Sequence, residues 1–113
     1  MQQSRLGRDI DDILLESIDE TIIELLSRAV VDALYVHLQT NYSLSRNELP
    51  SRLDTLINSL EKVFGVRGSL AITKAISKKF YRKLGLGFTD NPNRTLLEYV
   101  DEAKTKLQNS ASK

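Results

Sequence analysis

The sequence contains no cysteine and no tryptophan, one histidine and only two prolines. Without cysteine, disulfides and thiolate metal sites are excluded. With proline confined to Pro50 and Pro92, long stretches are free to be helical. No apolar run approaches the ~18 residues of a membrane span, and Met1 to Arg8 lacks the apolar core of a signal peptide. A cytoplasmic protein with no membrane contact is therefore expected. Glycine is scarce too, and no glycine falls in a phosphate-cradling pattern: Gly85-x-Gly87 ends a helical pattern and follows no strand. His37 has no cysteine to join it and no carboxylate four residues away on its own face, so it reads as a packed side chain. The usual catalytic, cofactor-binding and metal-ligating sets are missing, and a non-enzymatic domain is the expectation.

What remains is ordinary globular composition. At 113 residues, 41% of them hydrophobic, the chain is long enough for one domain with its own core and too short for two. The formal net charge of +1 conceals segregation. Residues 1–64 carry six Lys/Arg against eleven Asp/Glu, residues 65–89 carry six basic groups and no acid, and residues 90–113 carry four of each. Such asymmetry points to charged partners or head-to-tail self-association.

Helical periodicity runs through most of the chain. Residues 1–8 are polar and expected to be flexible, as are residues 109–113, leaving 9–108 as a single helical domain. Leu14, Ile18, Ile22 and Leu25 make one stripe, with Asp12, Glu16, Glu20 and Glu24 opposite. Beyond Leu26 the apolar face widens to include Val30, Leu34, His37 and Leu38. One long helix to about Tyr42, or two helices broken near Ser27–Arg28, both fit; ordinary helix length favours the break. Asn41 to Pro50 reads as a loop in which Ser45 and Glu48 have capping-box spacing. Ser51 is then expected to cap a third helix carrying Leu53, Leu56, Ile57, Leu60, Val63 and Phe64. Gly65 is expected to stop it as a left-handed cap, with Val66 making the accompanying apolar contact. Asp90-Asn91-Pro92-Asn93 is turn chemistry, and a last helix from about Arg94 to Gln108 turns Leu96, Val100, Ala103 and Leu107 inward. No strand pattern occurs, so the expected fold is an all-α bundle of four or five helices.

The segment Ser69 to Leu84 organises the rest. Ile72, Ile76, Phe80 and Leu84 line one face, while Lys74, Lys78 and Arg82 lie roughly 200° away at ~100° per residue. Lys79 and Lys83 flank that basic row. These five cations are the candidate partner-binding residues. Phe64 and Ile76 are expected to be fully buried between the third helix and this one. Ile23, Val31 and Tyr35 lie off the main stripes, and their exposure would drive a homodimer. The acidic and basic rows both lie opposite apolar rows, so within one molecule they should point away from each other.

The order helix, glycine turn, basic helix has the outline of a nucleic-acid-binding helix-turn-helix. With Gly65 as the turn glycine, Leu60, Phe64 and Val66 meet the apolar requirement, but Glu61 stands where a small residue belongs and Lys74 where an inward apolar one does. Protein binding is therefore the primary expectation, with a nucleic-acid-binding module as the alternative and a carboxylate enzyme a distant third.

Several strings occur together in a recognisable order. They are Ala33-Leu34-Tyr35-Val36-His37-Leu38, Tyr42-Ser43-Leu44, Glu48-Leu49-Pro50, Leu60-Glu61-Lys62-Val63-Phe64-Gly65, Lys83-Leu84-Gly85-Leu86-Gly87-Phe88 and Tyr99-Val100-Asp101-Glu102-Ala103-Lys104. From about Leu15 to Lys104 the chain resembles the Nitrosopumilus output domain family, small archaeal modules found alone or at the ends of signalling proteins. Ser43 departs from the glycine that family would place in the loop. The resemblance implies a helical regulatory or interaction module and brings no catalytic residue with it.

Overall fold

The computed structural model describes the backbone of residues 2–111 and the side chains of residues 10–109. Helix α1 spans Gln2–Leu25, α2 Arg28–Tyr42, α3 Leu53–Leu84 and α4 Leu96–Ala111, with a 3-10 turn at Arg46–Ser51 between α2 and α3. No strand occurs among the described residues, and the fold is an all-α bundle. The expectation of flexible ends at 1–8 and 109–113 falls mostly outside the described side chains.

Helix α1 is central: α2, α3 and the 3-10 turn all pack on it, and α4 packs on α3. Leu14, Ile18 and Ile22 are buried as their spacing requires. Ser17 and Thr21 are buried with them, which widens the covered arc beyond its apolar residues. Ser17 is tolerated because its hydroxyl donates to the Ile13 carbonyl at 2.7 Å.

The chain breaks between α1 and α2 where Ser27 becomes an N-cap, its hydroxyl accepting from the Val30 N–H at 3.1 Å. Helix α2 ends on Ser43 in the left-handed conformation (φ 51°, ψ 38°), with Leu44 N–H closing back on the Leu38 carbonyl. A side chain at this position carries a steric cost that glycine lacks. Ser43→Gly is therefore expected to stabilise the fold by about 0.5–1 kcal/mol, read as a raised denaturation midpoint at unchanged slope; a loss of stability would contradict the left-handed cap.

Ser45 and Glu48 form the anticipated capping box, and Pro50 sits inside the 3-10 turn. Ser51 is not the cap of the next helix: its hydroxyl donates to the Glu48 carbonyl, and α3 starts at Leu53 behind Arg52. Gly65 interrupts the helix as expected, but not in the left-handed helical conformation. It is the one non-helical residue inside α3 (φ 78°, ψ 170°), a kink after which the helix resumes at once, so no separate turn divides Phe64 from Ser69. Val66 is 61% exposed and makes no capping contact with the core. Gly85 is the true left-handed cap (φ 75°, ψ 23°), with Gly85 N–H and Leu86 N–H closing on the Arg82 and Tyr81 carbonyls.

The connection from Leu86 to Thr95 is held by an Asx turn at Asn91, whose side-chain oxygen accepts from the Asn93 N–H at 3.0 Å. Thr95 and Glu98 then form a reciprocal capping box that opens α4 two residues later than Arg94. Leu96, Val100 and Ala103 are buried on α3, joined by Tyr99.

Candidate functional site

Ile72, Ile76 and Phe80 are buried, so the opposite side of α3 carries the basic row outward. The five candidate cations do not form one free surface. Lys74 is paired with Asp90 of the α3–α4 connection at 3.1 Å. Lys79 reaches Glu24 of α1 at 2.8 Å, and Lys83 reaches Glu20 at 3.1 Å and Glu16 at 3.7 Å. Lys78 and Arg82 alone of the five have no acidic partner among the described residues. They line a cleft of about 150 Å³ with Thr21, Leu25 and Ala75.

The acidic and basic segments thus meet within one molecule, contrary to the expectation that they point apart. Lys79 and Lys83 each stand three residues after a buried side chain, hence about 60° from the buried row at ~100° per residue. From there their stems run along the core boundary while the ammonium groups emerge at α1. Lys79 keeps only 14% of its side chain exposed. Along α1 the acids advance about 40° at each four-residue step, which carries Glu20 and Glu24 toward the Ser17–Thr21 edge and so toward α3.

The more open surface lies elsewhere. Helices α2 and α3 each pack on α1 more than on each other. Between them is a cleft of about 230 Å³ lined by Val30, Ala33, Leu34, His37, Val63 and Phe64, with no formally charged group among them. Val63, in its lining, is 62% exposed. Phe64, expected to be fully buried, is only half-buried, because it lines this open cleft. His37 is half-buried here as well. Asn41 Nδ2 donates to the His37 carbonyl and lies 2.9 Å from its Nδ1. The three residues expected to drive a dimer are covered instead. Val31 is buried, Ile23 packs against the core, and Tyr35 turns its hydroxyl onto Asp19.

Two polar networks pin the elements around these surfaces. Asp19 accepts from the Tyr35 hydroxyl and from both Nε and Nη2 of Arg46, joining α1, α2 and the 3-10 turn. Burial, and then the bond to Asp19, push the Tyr35 phenol above its ordinary range. On the other side, the Tyr81 hydroxyl donates to the Tyr99 carbonyl at 2.7 Å and to Glu102, which also pairs with Arg94. The Arg94 bond, with the Tyr81 bond second, holds the Glu102 carboxyl below the usual range. Tyr81, Phe88 and Tyr99 meet as an aromatic cluster with ring centroids 5.0–6.0 Å apart. Sequence periodicity did not single out this hub, because Phe88, Asn91 and Arg94 come from an aperiodic connection.

Among the described residues, no group of three His, Asp or Glu side chains is placed to hold a metal ion, and no helix is long and apolar enough to cross a membrane. Compared with known proteins, the chain matches no family model, no curated protein and no solved structure.

Proposed function

We propose that this chain is a non-enzymatic, cytoplasmic interaction module that acts by binding another protein through the α2–α3 cleft. The observation that carries the reading is an uncharged, mainly apolar cleft that leaves Val63 62% exposed and Phe64 only half-buried. Single exposed apolar residues are common on any surface, but apolar side chains such as Val30, Ala33, Val63 and Phe64 gathered about one hollow favour a partner that removes them from water. Two helices with a gap between them present the shape into which an amphipathic helix packs. This agrees with the regulatory role implied by the resemblance to the Nitrosopumilus output domain family. A second copy of the chain is one partner such a surface would accept, and contact of this kind would persist at high salt.

The nucleic-acid alternative draws less support, because Lys74, Lys79 and Lys83 are already engaged by acids of the same chain. With Lys78 and Arg82 alone to neutralise phosphates, the log–log salt slope would be only about −2, from roughly 0.9 per phosphate.

A photo-crosslinking residue at Val63 in cells is expected to yield nuclease-resistant protein adducts, whereas the same residue at the exposed Asp101 of α4 yields few. Adducts destroyed by nuclease, or equal yields at the two positions, would overturn protein binding through the cleft.

A further inference from the structure

Helix α2 carries a second face of low polarity that no element of the chain covers. Val31, Leu34 and Leu38 are its buried row. At ~100° per residue, Ala29, Ala33, Val36 and Thr40 fall within about 50° of the direction opposite that row. All four are exposed, Val36 to 64%. On a surface helix this is where charged residues belong, and a helix that is apolar on both sides is normally buried. The 15 residues of α2 hold only two formal charges, Arg28 and Asp32. Both lie toward one edge of the outer face, about 40° apart.

Neither charge is used within the molecule. No hydrogen bond or ion pair joins Arg28 or Asp32 to any described residue, or to each other. Their order, cation before acid at a spacing of four, is the less favourable one within a helix. Arg28 also sits in the first turn of α2, at the end where the helix dipole favours an acid. The two charges do little for α2 itself, but together they are complementary to a second copy of the same edge.

A two-fold axis between antiparallel helices brings like edges together and makes every contact reciprocal. With Ala29 set opposite Ala33 of a second copy, Arg28 stands beside Asp32 of that copy, and Asp32 beside its Arg28. Val36 meets Leu26 of the second copy, which is 42% exposed just before the α2 cap. Alanine on both sides of the crossing permits approach near the lower end of the ~8–10 Å range for packed helices.

We propose that the chain forms a two-fold symmetric homodimer through the outer face of α2. Contact among Ala29, Ala33, Val36 and Leu26 holds the copies together, and the two Arg28–Asp32 pairs fix the register. One helix about 22 Å long at ~1.5 Å per residue offers a small interface, so the dissociation constant should be on the order of 100 µM. The cleft that holds Val63 and Phe64 lies on another side of α2, and the dimer does not rest on protein binding there.

Sedimentation equilibrium of the full chain over a range of concentrations tests the dimer. Val36→Lys should weaken it roughly tenfold or more, because the ammonium group would have to leave water. Val63→Lys, in the cleft, should leave it unchanged. Arg28→Glu and Asp32→Lys should each weaken it roughly tenfold, since each sets two like-charge contacts across the axis. An equimolar mixture of those two variants should regain the wild-type constant to within about threefold, because both contacts in the mixed dimer again join opposite charges. Mixing cannot repair a folding defect, so this arm decides the matter even if one variant folds poorly. A monomeric mass at about 1 mM protein, equal losses at Val36 and Val63, or a mixture no more associated than its components would overturn the proposal.

Discussion

Alanine is expected to destabilise the fold by about 2–5 kcal/mol in place of Ile76 and about 3–5 kcal/mol in place of Phe80, the ranges for emptying a fully buried aliphatic or aromatic site. Both side chains are 0% exposed, on the face of α3 that packs against the rest of the core. That cost is a large share of the ~5–15 kcal/mol available to a domain, so these variants should be partly unfolded under mild conditions. Phe64→Ala is the internal control. Phe64 was expected to match Ile76, but it borders the open α2–α3 cleft and gives up less apolar surface on truncation. Its loss should be roughly 1–2 kcal/mol at ~25 cal/mol per Å² of buried area. Urea denaturation at unchanged slope measures all three. Equal losses at Phe64 and Ile76 would mean that the cleft is closed in solution, and would remove the basis for protein binding there.

The contrast between these positions shows what hydrophobic spacing conveys. Period identifies which face of a helix turns inward, and it placed Ile72, Ile76 and Phe80 correctly. It does not say how far the neighbouring helix stands off, and Phe64 depends on that distance. The buried arc of α1 was underestimated for a related reason. Ser17 and Thr21 are polar by type, yet each is small enough for close helix approach, and their burial turned the acidic row toward α3. The pairing of Glu20 and Glu24 with Lys79 follows from that rotation.

Local chemistry was legible where one residue type dominates one conformation. Ser45 forms its capping box with Glu48 as the spacing suggests, the break near Ser27–Arg28 is the one of the two alternatives that occurs, and Gly85 closes α3 in the left-handed conformation. The Thr95-x-x-Glu98 box was equally readable, but the nearby Asp90 to Asn93 turn drew the helix start forward to Arg94. Of the candidate cations, sequence could show that all five share one stretch; it could not show that Asp90 and the α1 acids claim three of them. The Lys74–Asp90 pair was out of reach altogether, since it depends on how an aperiodic connection folds back over α3.

Gly65 provides the second large effect. Its φ of 78° with ψ of 170° combines a positive φ with an extended ψ, a region essentially reserved for glycine. Nothing lies within 4 Å of where a Cβ would stand, so any cost of substitution comes from the backbone alone. Gly65→Ala is expected to destabilise the fold by about 1–3 kcal/mol. Asparagine discriminates this from an ordinary cap, because its tolerance is for the left-handed helical well near ψ +45° and does not extend to ψ near 170°. Gly65→Asn should therefore cost about as much as alanine, whereas Gly85→Asn, at φ 75° and ψ 23°, should cost roughly 1 kcal/mol or less. At Gly68 the kink brings the chain so close to Phe64 that a Cβ would lie 2.8 Å from its Cβ, against about 5–6 Å for residues four apart in a straight helix. A straight helix would also carry Val63 and Phe64 out of register with α2 and rebuild the cleft they line. Chemical denaturation of the three variants decides the matter: a neutral or stabilising Gly65→Ala would show that α3 runs straight in solution, since alanine then gains up to ~1 kcal/mol of helix propensity over glycine.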